Sequence, residues 1–136
     1  MYPEGKRILI VDDDESRRQA SERVLMDEGF AVTAVPEGFS AIRAAESRRF
    51  ALTITAVGLP GTLDGPTTVR QIRARQPWLK ALFTGDVAGR RWRPERDCDD
   101  FICAPFEDRN LLGCVFELLQ RQVEDAEINP IRRRAG

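Results

Sequence analysis

Apolar and polar positions along the chain alternate between two periods, one of a strand and one of a helix. Arg7-Ile8-Leu9-Ile10-Val11 is continuously apolar after its first residue, as for a strand covered on both faces. From Glu15 to Glu28 the apolar residues Ala20, Val24 and Leu25 recur at helical spacing, leaving Arg17, Arg18, Glu22 and Arg23 for a wet face, and Gly29 supplies the stop. Ala31 to Val35 reads as a second strand halted by Pro36. A second helix from about Glu37 to Ser47 is predicted to bury Phe39 or Ala41, Ile42 and Ala45.

The run Leu52-Thr53-Ile54-Thr55-Ala56-Val57-Gly58-Leu59-Pro60-Gly61 is apolar and β-branched until it breaks at Gly and Pro, so a buried third strand ends near Ala56 and opens into a loop. Pro66 suits the first turn of a third helix that carries Val69 and Ile72 inward to about Gln76. Leu79 to Thr84 gives a fourth strand. Between Gly85 and Asp100 the period weakens, and only a short or irregular helix is expected. Phe101-Ile102-Cys103 is a fifth strand, followed by a strongly periodic helix from about Glu107 to Val123, with Leu111, Leu112, Val115, Phe116, Leu119 and Val123 inward. Strands alternating with helices in this way fold as an α/β sandwich with a parallel sheet. Residues 1–124 are expected to form one domain and 125–136 a polar tail.

In such sheets chemistry sits beyond the carboxyl ends of the strands. Those ends carry Asp12-Asp13, Ala56, Thr84 and Ala104. One carboxylate beside a helix amino terminus caps it; a second at the end of a buried strand exceeds that need.

The remaining composition narrows the class. A chain of 136 residues, 42% hydrophobic and 32% charged, is globular and has room for one ordinary core. The net charge of −1 favours neither nucleic acid nor a membrane surface, and no apolar run is long enough to span a bilayer. Cys98, Cys103 and Cys114 lack metal-site spacing and the chain has no His, so reduced thiols in the cytoplasm are expected.

The stretches Ile8-Leu9-Ile10-Val11-Asp12-Asp13-Asp14, Leu59-Pro60-Gly61, Asp64-Gly65, Leu82-Phe83-Thr84-Gly85 and Pro105-Phe106 together resemble the receiver domain of two-component response regulators, over roughly Arg7 to Gln122. The central run is most similar to receiver modules of hybrid histidine kinases, which carry an aspartate where this chain has Ala56. The resemblance implies a doubly wound, flavodoxin-like (βα)5 fold with five parallel strands in the order 2-1-3-4-5. It also implies a site for each role in phosphoryl transfer: Asp12 and Asp13 for Mg²⁺, Thr84 and Phe101 as the switch pair, the acceptor aspartate at Ala56 and a lysine at Ala104. The last two are alanines here. A methyl group has no nucleophilic oxygen, and Ala104 has no charge to offer a phosphoryl group. Two carboxylates without the third ligand leave at most a weak Mg²⁺ site.

The expected function is thus that of an atypical stand-alone receiver, a binding module rather than an enzyme, that signals without phosphorylation. Its expected partners are a histidine kinase, a phosphotransfer protein or a downstream effector, and a homodimer stays open. Arg90, Arg91, Trp92 and Arg93 form a basic patch around an aromatic residue, suited to protein docking. Arg132 to Arg134 alone are a thin basis for nucleic-acid binding, and no helix-turn-helix pattern follows. Two competing readings are a phosphorylatable regulator using Mg²⁺ and another acceptor, and a sensor that fills the vacated pocket with a small ligand.

Overall fold

The computed structural model describes residues 6–86, 93–94, 96 and 99–121. Five strands, β1 (Arg7–Val11), β2 (Ala31–Val35), β3 (Leu52–Ala56), β4 (Lys80–Gly85) and β5 (Asp100–Cys103), form one parallel sheet in the order β2-β1-β3-β4-β5. Among the described residues four helices cover it: α1 (Glu15–Asp27), α2 (Gly38–Ser47), α3 (Gly65–Arg73) and α4 (Asp108–Gln120). The expected sheet order and flavodoxin-like architecture are therefore present. The segment between Gly85 and Asp100, for which a short helix is expected, lies largely outside the described residues, as do Val123 and the tail.

The buried runs of β1 and β3 follow from helices on both faces, and the period of two divides them. Ile8 and Ile10 join Leu52, Ile54 and Leu82 beneath α1 and α4, meeting Leu25, Leu111, Val115 and Leu118. Leu9 and Val11 point the other way, into a layer with Ala41, Phe50, Ile72 and Leu79 beneath α2 and α3. Each buried aliphatic side chain contributes about 1.5–3 kcal/mol, so this two-sided filling fixes the register of the central strands and, with it, which residues end them.

Some of the expected inward residues are buried, Leu25, Leu111 and Val115 among them, and others are not. On α1 the buried residues are Ser21 and Leu25, whereas Ala20 is exposed and Val24 half-buried. On α2 Ala41 is buried and Phe39 is 57% exposed. On α4 Leu118, not foreseen, is fully buried while Leu112, Phe116 and Leu119 are half-buried. The helix α3 stops at Arg73, short of the expected Gln76, and the Gln76 side chain is buried and bonded. Its Oε1 accepts the Phe50 N–H at 2.8 Å, and its Nε2 donates to the carbonyls of Ala45 at 2.9 Å and Arg48 at 2.8 Å. A buried amide satisfied on both ends in this way ties the end of α2 to the start of β3.

Candidate functional site

The first corner of the site is the turn from β1 into α1. Asp12 follows β1, its N–H donating to the Val35 carbonyl at 3.1 Å. Asp14 is the N-cap of α1, its carboxylate accepting the Arg17 N–H at 2.9 Å. That cap places Arg17 at the third helical position. Helical side chains lean back toward the amino terminus, so its guanidinium reaches the end of the strand it has just left. Arg17 Nε donates to Asp12 Oδ2 at 2.6 Å and Nη2 to Oδ1 at 2.9 Å, a bidentate, charge-assisted pair. Oδ1 also accepts the Asp14 N–H at 2.9 Å, and Arg18 Nη1 donates to the Asp12 carbonyl at 2.8 Å. The Asp12 hydrogen bond, followed by its charge, raises the Arg17 pKa above its ordinary value against the opposing effect of burial.

The second corner joins β3 to β4. Ala56 ends β3 buried and in register with Thr84, itself buried near the end of β4. The Val57 N–H donates to the Thr84 carbonyl at 2.8 Å and the Gly65 N–H to the Val57 carbonyl at 2.8 Å, folding the loop back over the strand end. Gly65 has to be glycine for this approach: a Cβ there would stand 2.1 Å from the Ala56 carbonyl oxygen. The loop then enters α3 through Asp64, whose side chain accepts the Thr67 N–H at 2.8 Å. That bond is the main reason its carboxyl titrates below the usual carboxylate value. Thr55 is fully buried and donates to the Ala56 carbonyl at 3.1 Å.

The third corner is the exit from β5. The Ala104 N–H donates to the Gly85 carbonyl at 2.6 Å, and the Ala104–Pro105 peptide is cis. Between the corners lies a cavity of about 750 Å³. Ala56, Thr84 and Ala104 line it, joined by Arg17, Asp14 and Asp86. The fold thus assembles the three strand-end positions expected to form the site. Asp13 is exposed. Phe101 packs with Val69, Ala81 and Phe83 on the α3 side of the sheet, its ring against Gly85. Of the basic docking patch only Arg93 is described, and it is exposed; Arg90, Arg91 and Trp92 lie outside the described residues.

Arg17 is the residue that the wet-face assignment missed. The signal was available in the spacing: an arginine three residues after a capping aspartate and five after the strand-end aspartate points back at the latter.

These residues do not fit a divalent cation as they stand. Magnesium asks for several oxygen ligands in a near-octahedron. Both Asp12 oxygens face a guanidinium, Ala56 supplies none, and among the described residues no three acidic, His or Cys side chains are grouped to hold a metal.

A family model described as the response regulator receiver domain matches residues 8–115. The chain is 32% identical over 120 residues to the transcriptional regulatory protein CseB of Streptomyces avermitilis, covering 87% of this chain and 51% of that protein. It therefore spans about half the length of such curated relatives. The receiver domain of the hybrid histidine kinase CckA superposes with a TM-score of 0.73 at 28% identity, over 84% of this chain and 99% of that one. The receiver domain of a Pseudomonas aeruginosa sensor histidine kinase, solved with a magnesium ion coordinated in its active-site cleft, gives 0.73 at 25% identity, over 86% and 99%. Sheet order, strand-end cavity and sequence agree, and the chain belongs to the response regulator receiver domain family.

Proposed function

We propose that this receiver domain works in two-component signalling as a phosphorylation-independent protein-binding module, not as an enzyme. The observation that carries the reading is Ala56. The position facing Thr84 at the end of β3, where phosphoryl transfer would need a nucleophilic oxygen, holds a buried methyl group. Two further features support it. Ala104 brings no cation to the cavity, and Asp12 is engaged by Arg17.

Receiver domains as a class interact with histidine kinases, phosphotransfer proteins and effectors. For this chain the proposed partner is a protein of one of those kinds, met in the cytoplasm through shape and surface. The patch at Arg90, Arg91, Trp92 and Arg93 is the proposed docking element, with Thr84 and Phe101 static where an active receiver would switch them. Residues 1–124 are proposed as the signalling unit and 125–136 as its tail.

Incubation with a small acyl-phosphate donor and Mg²⁺, read by intact mass, tests this. The expected result is no phosphoryl adduct, together with partner affinity unchanged by the donor. A stoichiometric adduct that alters partner affinity would restore the phosphorylatable reading. The small-ligand reading draws on the cavity itself, whose size falls within the range of ligand pockets. A metabolite-dependent rise in melting temperature would support it.

A further inference from the structure

We propose that Arg17 is a resident cation that stands in for a divalent metal at the β1–α1 corner, so that this corner is neutralised and ordered without any bound ion. The inference goes beyond the proposed function, since it concerns how the acidic corner is charged and not whether phosphate is transferred.

Asp12 lies buried at the β1–α1 turn. Its side chain is 8% exposed, and a carboxylate at that depth is costly unless it is paired and hydrogen-bonded. It receives three donors: Arg17 Nε, Arg17 Nη2 and the Asp14 N–H. Arg18 meanwhile holds the carbonyl of the same residue. A planar guanidinium presenting two parallel N–H groups matches both carboxylate oxygens at once, which a point charge such as lysine cannot do. The Arg17 side chain is itself only 33% exposed and lines the cavity beside Ala56.

For a divalent ion to enter, the fork must leave both Asp12 oxygens and then tolerate a double positive charge next to its own. Magnesium would also have to shed water for a site offering Asp12 and the exposed Asp13, with the Asp14 carboxylate engaged as the α1 cap and, at Ala56, no carboxylate from the end of β3. The internal cation therefore wins: it is covalently tethered, matches both carboxylate oxygens, and loses no translational entropy. The same geometry implies a latent site. Once the guanidinium is removed, Asp12 and Asp13 face each other's charge without a counter-ion, and a divalent cation becomes the available replacement.

The test is calorimetric titration with Mg²⁺ and thermal melting, with and without Mg²⁺, on the wild type, Arg17→Gln, Ala56→Asp and the double variant Arg17→Gln/Ala56→Asp. The wild type is expected to show no Mg²⁺-dependent melting shift, whereas Arg17→Gln should melt lower in chelator and recover on adding Mg²⁺. The double variant should bind Mg²⁺ about tenfold or more tighter than Ala56→Asp alone, since losing one charge-assisted pair corresponds to at least that factor. Saturable Mg²⁺ binding by the wild type, or equal affinity in the double variant and Ala56→Asp, would overturn the proposal. The wild-type titration stands even if a variant fails to fold. None of these readouts involves a phosphoryl donor, so failure here leaves the mass measurement of the previous proposal untouched.

Discussion

Removing Asp99 tests how the two strands that carry Thr84 and Ala104 are held in register. Asp99 sits immediately before β5 with its side chain 0% exposed, and both carboxylate oxygens accept from Arg73 Nη2 at 2.7 Å while Oδ1 also takes the Ala81 N–H at 2.8 Å. The Arg73 side chain, 8% exposed, also donates from Nε to the Leu79 carbonyl at 2.9 Å. The pair thus ties α3 to β4 and to the start of β5. In Asp99→Ala the guanidinium loses its anion in a buried place, which costs about 3–5 kcal/mol, and the Ala81 N–H loses its acceptor, for about 1 kcal/mol more. Set against a total stability of roughly 5–15 kcal/mol, that is a large fraction. At about 3–5 °C per kcal/mol for a domain of this size, the melting midpoint should fall by roughly 12–30 °C. Arg73→Leu should cost a similar amount by stranding the carboxylate. Urea melts of both single variants and the double variant Arg73→Leu/Asp99→Ala complete the cycle, in which the double variant should cost no more than the worse single. Single-variant losses below about 1 kcal/mol, in the range of exposed pairs, or strictly additive costs, would refute the view of this pair as a buried, mutually dependent clamp.

Gly65→Ala should cost about 1–3 kcal/mol in a urea melt, because its Cβ would stand 2.1 Å from the Ala56 carbonyl; Gly58→Ala, where a Cβ meets nothing within 4 Å, should cost far less, and equal costs would contradict the close approach. Asp64→Ala should cost about 1 kcal/mol at neutral pH through loss of the α3 cap. Because the folded-state carboxyl of Asp64 titrates below its usual value, the charged cap's contribution is complete above that value of about 3.9 and is lost as pH falls through the folded pKa, so the gap between wild type and variant should narrow on acid titration. Lys80→Met should loosen the end of α4, since the buried ammonium donates to the carbonyls of Leu118 and Arg121; hydrogen exchange at the last turn should rise, with a stability loss of about 1–3 kcal/mol.

The sequence carried the sheet more clearly than the helix faces, for a physical reason. A strand covered on both sides leaves an apolar run, unbroken in Ile8 to Val11 and carried by β-branched threonines between the apolar residues of Leu52 to Ala56. Helical faces are broader, so Leu25 and, of the pair Phe39 or Ala41, Ala41 are buried as expected, while Ser21 takes the inward place expected of Ala20. Small residues mislead most: Ala20 turns to the cavity rim, where its size leaves room. The strand-end positions Ala56, Thr84 and Ala104 were legible because the period of the strands and the punctuation at Gly and Pro fix where each strand stops. The Arg17–Asp12 and Arg73–Asp99 pairs were not, since polar residues at helical spacing read as a solvated face until a partner element is placed beside them. Gln76 escaped for the same reason, with its partners 26 and more residues away.

The departures at the strand ends are connected by charge. In a site with three carboxylates and a lysine, the formal sum is −3 + 1 = −2, and a divalent cation balances it. Replacing the third carboxylate and the lysine by Ala56 and Ala104 leaves Asp12 and Asp13 at the same −2, so those two substitutions alone would retain the field that attracts a cation. Arg17 changes the sum to −1 with its charge placed directly on the buried member of the pair, while the remaining charge, on Asp13, is exposed to solvent and screened. The buried part of the corner is therefore neutral as folded.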